Sequence, residues 1–179
     1  YDGNRATITF DGVTNCLGLI QNGTGDDTDG FGNITVQNIH VASSGSALDN
    51  EAGWVCHSYF GTASSNVLID NCSSTGDIGD SEGGTGFGAG GICGSSAGAL
   101  GIATITNCYS KGPIGVVAGG ICGAFAGESG TATISNCYSE GPISGEGAGG
   151  ICGPFAGVNG GTATIENCYS EGDIIGVDA

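Results

Sequence analysis

The chain has 179 residues, 39 of them Gly, and sets 2 basic residues against 18 acidic ones for a net charge of −16. That balance argues against nucleic acid or an anionic membrane as partner, and no apolar run reaches transmembrane length, so membrane insertion is not expected. The apolar runs are short, β-branched and bounded by Gly, Asn, Ser and Pro, which favours strand and excludes helix almost everywhere.

In chain order the first strand-like segment is ATITF at residues 6–10, followed by GLIQNGTG at 18–25 and VQNI at 36–39. Between them DDTDGFGN (26–33) enlarges a turn. Its Asp26, Asp27 and Asp29 form either a hard, oxygen-rich candidate for Ca²⁺ or a plain solvated acidic turn. No other cofactor is indicated. Glycosylation sequons start at Asn22, Asn33 and Asn71, the first two being the candidates, because Asn71 is expected inside an inaccessible ladder.

From residue 52 the text becomes periodic. AGWVCHSYFG (52–61) and IDNCSSTGDI (69–78) are followed, after the insertion DIGDSEGGTG (77–86), by three AGGICGxxAG blocks at 89–98, 118–127 and 148–157. These alternate with ATITNCYSKGPI (103–114), ATISNCYSEGPI (132–143) and ATIENCYSEGDI (163–174). A period of about 30 residues is the signature of a solenoid, in which each turn of chain buries its apolar side only by stacking on its neighbours. The expectation is one elongated all-β domain over 1–179, a right-handed parallel β-helix of about five or six rungs. Residues 6–51 would be degenerate repeats and 52–174 well-preserved ones.

Within ATIxNCYS the variable position (Thr106, Ser135, Glu166) should face solvent and the preceding isoleucine the core. The asparagine that follows tolerates a left-handed bend, so Asn71, Asn107, Asn136 and Asn167 should stack as a ladder of amides. Beyond the bend, Cys108 and Ser110 should point inward, leaving Tyr109, Tyr138 and Tyr169 as an outer aromatic strip. Glycines in AGGICG weaken a strand and are explained by close approach of backbone to backbone, which predicts a thin, flat rung there.

These alternating blocks resemble the GLUG-like tandem repeats of microbial surface proteins and the β-helical repeat proteins of large DNA viruses. The resemblance covers residues 52–174 well and 6–51 poorly. It implies a right-handed β-solenoid on an exterior surface in an adhesive or structural role, and supplies no catalytic residues. Cysteine stands at 56, 93, 122 and 152 where the GLUG core block has an apolar residue.

Eight of the nine cysteines fall in half-rung pairs 15 or 16 residues apart. Two readings remain open. Inward cysteines half a turn apart could pair as Cys56–Cys72, Cys93–Cys108, Cys122–Cys137 and Cys152–Cys168, leaving Cys16 unpaired or intermolecular. Alternatively they are free thiols stacked in two ladders, packing as small hydrophobes.

An enzyme is the rival class, but only Arg5 and Lys111 could neutralise a sugar acid. The carboxylates near the middle, Asp70, Asp77, Asp80 and Glu82, would repel an anionic substrate, and His40 and His57 have no companion Ser or Cys at motif spacing. A flat-surface or ice-binding module is a second rival, from the ranks Thr104, Thr133, Thr164 and Thr131, Thr162, although Glu166 ends the neighbouring rank. The reading that remains is a non-enzymatic extracellular protein of the cell or virion surface, with a surface glycan or protein as candidate ligand. Strand character at one end and a half rung at the other suggest either that it stacks end to end into a filament or that the sequence is a fragment of a longer repeat protein.

Overall fold

Every strand in the computed structural model is parallel to its neighbours, as expected when one turn of chain repeats above the last. The structure describes residues 1–22, 30–62, 66–79, 86 and 88–175. Strands β1 (Asp2–Asp11) and β2 (Ile34–Ser44) are long, and after them each rung carries one five-residue and one two-residue strand. These are β3 (Asn66–Asp70) with β4 (Ser73–Ser74), β5 (Ile102–Thr106) with β6 (Tyr109–Ser110), β7 (Thr131–Ser135) with β8 (Tyr138–Ser139), and β9 (Thr162–Glu166) with β10 (Tyr169–Ser170). The sheet runs β10-β8-β6-β4-β2-β3-β5-β7-β9, with β1 also on β2, so β2 belongs to both stacks. The result is an all-β solenoid of about five turns.

The break between long and short strand is the asparagine. Asn38, Asn71, Asn107, Asn136 and Asn167 all adopt φ between 51° and 57°, the left-handed region that asparagine enters at lower cost than other non-glycine residues. The bend shifts the inward phase by one residue. Before it the core receives Val36, Ile69, Ile105 and Ile134, all fully buried; after it the core receives Cys72, Cys108 and Cys137, then Ser74, Ser110 and Ser139.

Beyond the short strands, Ile78, Ile114, Ile143 and Ile174 are bridged in register, as are Gly53, Gly90, Gly119 and Gly149, and Ile20, Cys56, Cys93, Cys122 and Cys152. The rung is thin where glycine meets serine across it: a Cβ on Gly91 would lie 2.6 Å from Ser110 Cβ, and one on Gly120 2.7 Å from Ser139 Cβ. The less regular rung solves the same problem with the sizes exchanged. Trp54, aligned with Gly91, is fully buried, donates from Nε1 to Asp77 O at 3.1 Å, and occupies the space that Gly76 leaves open.

Rung-to-rung contact is closest at Gly112, Gly141 and Gly172, where a Cβ would run into the carbonyl oxygen of the glycine one rung before, Gly76, Gly112 and Gly141 in turn. The obstacle is backbone, which cannot rotate aside. Gly141→Ala should therefore cost about 1–3 kcal/mol or more by overpacking, read as a lower urea midpoint at unchanged slope. An unchanged midpoint would mean that the rungs are not held this close.

Candidate functional site

The cysteines are the most concentrated reactive groups, and all nine are free thiols. The structure replaces the half-rung pairing considered above with contact from rung to rung. Cys72 N–H donates to Cys108 Sγ, Cys108 N–H to Cys137 Sγ and Cys137 N–H to Cys168 Sγ, each at 3.4 Å. Each sulfur also donates to the carbonyl two residues before it, at 3.1 Å for Cys108 and Thr106. The left-handed asparagine turns the next N–H away from the ladder, and a sulfur from the following rung satisfies it. Cysteine is suited to that position because it is small, apolar and able to accept weakly.

The thiols are not shifted alike: hydrogen bonding with the Cys108 thiol lowers Cys72 and Cys137, whereas others are raised. Burial pushes the Cys56 thiol well above its usual range; the adjoining Cys152 thiol, then burial, does the same for Cys122; and the Cys137 and Cys72 thiols, then burial, raise Cys108. Cys16 is not beside either ladder's end. It is bridged to Leu48, in a column of aliphatic residues, and burial raises its thiol too.

The proposed amide ladder begins and then diverts. Asn71 Nδ2 donates to Asn38 Oδ1 at 2.7 Å, but Asn107 Nδ2 donates to Asp70 Oδ1, also at 2.7 Å, because a carboxylate one position earlier in the preceding rung is the stronger acceptor. Asn136 and Asn167 keep the bend. Asn71 is exposed, not hidden, since the asparagines lie on the outside of the corner.

The tyrosine strip is present as a stack. Tyr109 and Tyr138 have centroids 5.1 Å apart and planes 8° apart; Tyr138 and Tyr169 follow at 5.3 Å and 5°. Stacking of this kind covers ring faces and leaves edges and hydroxyls to solvent, so it offers a sugar little aromatic face. Lys111 lies 5.5 Å from the Tyr109 centroid and is tied to Glu140 at 3.0 Å. Thr104, Thr133 and Thr164 do share a register, but Leu68 continues their column in one direction and Glu166 flanks its other end.

Below Tyr109 the aromatic column is interrupted. Register places Ser73 under Tyr109 and His40 under Ser73. The interruption is an open cavity of about 230 Å³ lined by Arg5, Asn38, His40, Asn71, Ser73 and Tyr109. At its floor His40 Nδ1 and Ser73 Oγ are 2.7 Å apart. This supplies the companion that His40 lacks in local sequence; the pair is 33 residues apart, and stepping one rung on from His40 would have found it. His57 likewise bonds Ser58 Oγ at 2.9 Å. A base beside a hydroxyl is the start of a nucleophile, but Ser73 is only 6% exposed and, among the described residues, no carboxylate is hydrogen-bonded to His40.

The calcium candidates Asp26, Asp27 and Asp29 lie outside the described residues, as do Asp80 and Glu82. Among the described residues no group of three or more His, Cys, Asp or Glu is placed to hold a metal ion, and no helix is long and apolar enough to cross a membrane. Of the glycosylation candidates, Asn33 is exposed, whereas Asn22 is 7% exposed and clamps a loop by donating to Phe31 O at 2.9 Å and accepting from Phe31 N at 2.8 Å.

No family model matches the chain, and no curated protein matches it. A solved structure described as a "putative immunoglobulin A1 protease from Bacteroides ovatus" is similar to it at 21% identity and a TM-score of 0.47. The match covers 94% of this chain, which spans 59% of the length of that one.

Two outcomes follow from this geometry. Unfolding without reductant should expose nine titratable thiols per chain, while in the native state Cys168, half-buried on the last rung, is alkylated first; loss of eight of the nine would restore the half-rung pairing. Secretion from a eukaryotic host should give a glycan at Asn33 and none at Asn22, where attachment would remove the Asn22 Nδ2 bond to Phe31; an Asn22 glycopeptide from folded protein would contradict the burial.

Proposed function

We propose that this protein is a non-catalytic structural solenoid of a cell or virion exterior, which works by accepting a rung of a second copy on its terminal rung and so assembles end to end. The observation that carries this reading is the in-register replication of rungs, β5 on β7 on β9 and β6 on β8 on β10, a pattern that a further rung of the same repeat can extend. Ile105 and Ile134 are fully buried, yet Ile165 in the same column is 46% exposed; Ile114 and Ile143 are 0% and 5% exposed, yet Ile174 is 68%. Among the described residues β9 and β10 each have one strand partner, so the same rung also presents backbone groups without a strand beside them.

The face is complementary to the solenoid's own repeat, so a rung of that repeat suits it better than an unrelated partner. At the opposite end β1 is paired on one side only, and its Ile8 and Phe10 are partly buried against the core. Joining the two ends is a heterologous contact that does not close. Each isoleucine brought from water into such a contact contributes up to about 1.5–3 kcal/mol. Net charge of −16 opposes it, so association should strengthen with salt. The exterior setting is supported by that charge and by the resemblance to GLUG-like repeats.

Sedimentation velocity with electron microscopy tests the reading. Weight-average sedimentation should rise with protein and salt concentration, end-to-end rods should show a repeat of about 25–30 Å from five or six rungs at ~4.8 Å plus any junction, and Ile165→Lys should remain a folded monomer. Wild-type protein that stays monomeric throughout, or a lysine variant that assembles equally well, would overturn it.

A further inference from the structure

We propose that the interruption of the outer ring column at Ser73 is a binding slot for one planar aromatic ring bearing a carboxylate. The inference is independent of end-to-end assembly and rests on the spacing of the column itself. Rings on successive rungs stand 5.1 and 5.3 Å apart at Tyr109, Tyr138 and Tyr169. Continuing downward, the next position holds Ser73 and the one after it His40. Two rung steps, about 9.6 Å, therefore separate the Tyr109 and His40 backbones, and the rung between them carries no ring, its Ser73 hydroxyl meeting His40 Nδ1 at 2.7 Å. The column is short by one ring, and a ring inserted there would continue the stack against Tyr109, whose other face already carries Tyr138.

The walls of the slot are polar and held in place. Asn71 is bonded to Asn38, Asn38 donates to Asp2 Oδ1 at 3.0 Å, and the Ser73 hydroxyl is bonded to His40. Asp2 faces Asn4, Asn38 and Gln37, whose N–H groups hold its carboxyl below the usual range. The cavity of about 230 Å³ takes a single substituted six-membered ring and little more.

Charge selects the substituent. Of the two basic side chains in the molecule, Lys111 is ion-paired with Glu140 and does not line the cavity, while Arg5 does. A guanidinium matches a carboxylate in a planar, two-bond geometry. The surrounding excess of negative charge repels polyanions, which restricts the ligand to one that brings a single charge.

The test uses 4-fluorobenzoate as probe and ligand-observed fluorine and saturation-transfer NMR, which tolerate a large assembled protein. Expected are saturable binding, affinity at least about tenfold above that of glucuronate, and a loss of about tenfold in Arg5→Gln. Ser73→Tyr supplies the missing ring and should abolish binding while leaving the thermal midpoint at or above wild type. Arg5 is exposed, so Arg5→Gln still reports on folded protein if Ser73→Tyr should fail to fold. No saturation below about 10 mM, equal or better binding of glucuronate, unchanged affinity in Arg5→Gln, or retained binding in folded Ser73→Tyr would each overturn the proposal.

Discussion

The structure depends on one constraint: each rung must carry, about 4.8 Å away, a near copy of itself. Backbone hydrogen bonding between rungs favours that separation everywhere, so a side chain is admissible only if it tolerates its own replica as a neighbour. Tyrosine does so by stacking, isoleucine by dispersion, serine by a hydroxyl pair such as Ser139 to Ser170 at 2.9 Å, and cysteine by using one rung's sulfur for another rung's N–H. A charge gains nothing from its replica, and it stands beside one where Glu140 and Glu171 occupy corresponding places on successive rungs. The one ion pair among the described residues sets Lys111 against Glu140 at corresponding places in the repeat, and the solvent rank runs Thr106, Ser135, Glu166. Acidic residues can accumulate in this chain only where the repeat varies or turns outward.

Periodicity made much of this readable. Alignment of ATITNCYS with its copies gives the register found between β5, β7 and β9, and the left-handed asparagine sets which residues beyond it face inward. The cysteines were not resolved by the same reasoning, because a half-rung interval describes two positions along the chain and says nothing of how each backbone N–H is satisfied. Once the bend removes the N–H of Cys72, Cys108 and Cys137 from the strand ladder, the sulfur has a hydrogen-bonding task that competes with oxidation. Asn107 was misplaced for a similar reason. The amide ladder treats each rung as identical, and Asp70 stands where the later rungs carry Thr106 and Ser135, so the local chemistry changed at that step.

The cavity was harder to see because it is produced by a departure from repetition. A motif search looks for chemistry at short spacing, whereas a solenoid brings together residues one full rung apart, and that interval varies where insertions lengthen the turns. His40 and Ser73 are neighbours only when the rung of 33 residues is counted, and Arg5 reaches the same place from two rungs before Ser73.

A pattern emerges in where the departures lie. Between Gly90 and Ile174 the rungs are close replicas, and what they present outward is itself repetitive: a stack of tyrosines, a short rank of threonines. Nearer the start the rungs differ in size and chemistry. Trp54 replaces glycine and requires Gly76 opposite it, Leu48 meets Cys16, and Ser73 stands between His40 and Tyr109. A replicated rung can extend the solenoid but cannot make a pocket, since every concavity one side chain wide is filled by the copy of that side chain above it. A pocket requires a rung that breaks the column while keeping the backbone register, and β4 does this: Ser73 bridges His40 and Tyr109 without disturbing the parallel pairing on either side. The regular rungs therefore leave no gap one side chain wide, and the gap at Ser73 falls among the irregular ones.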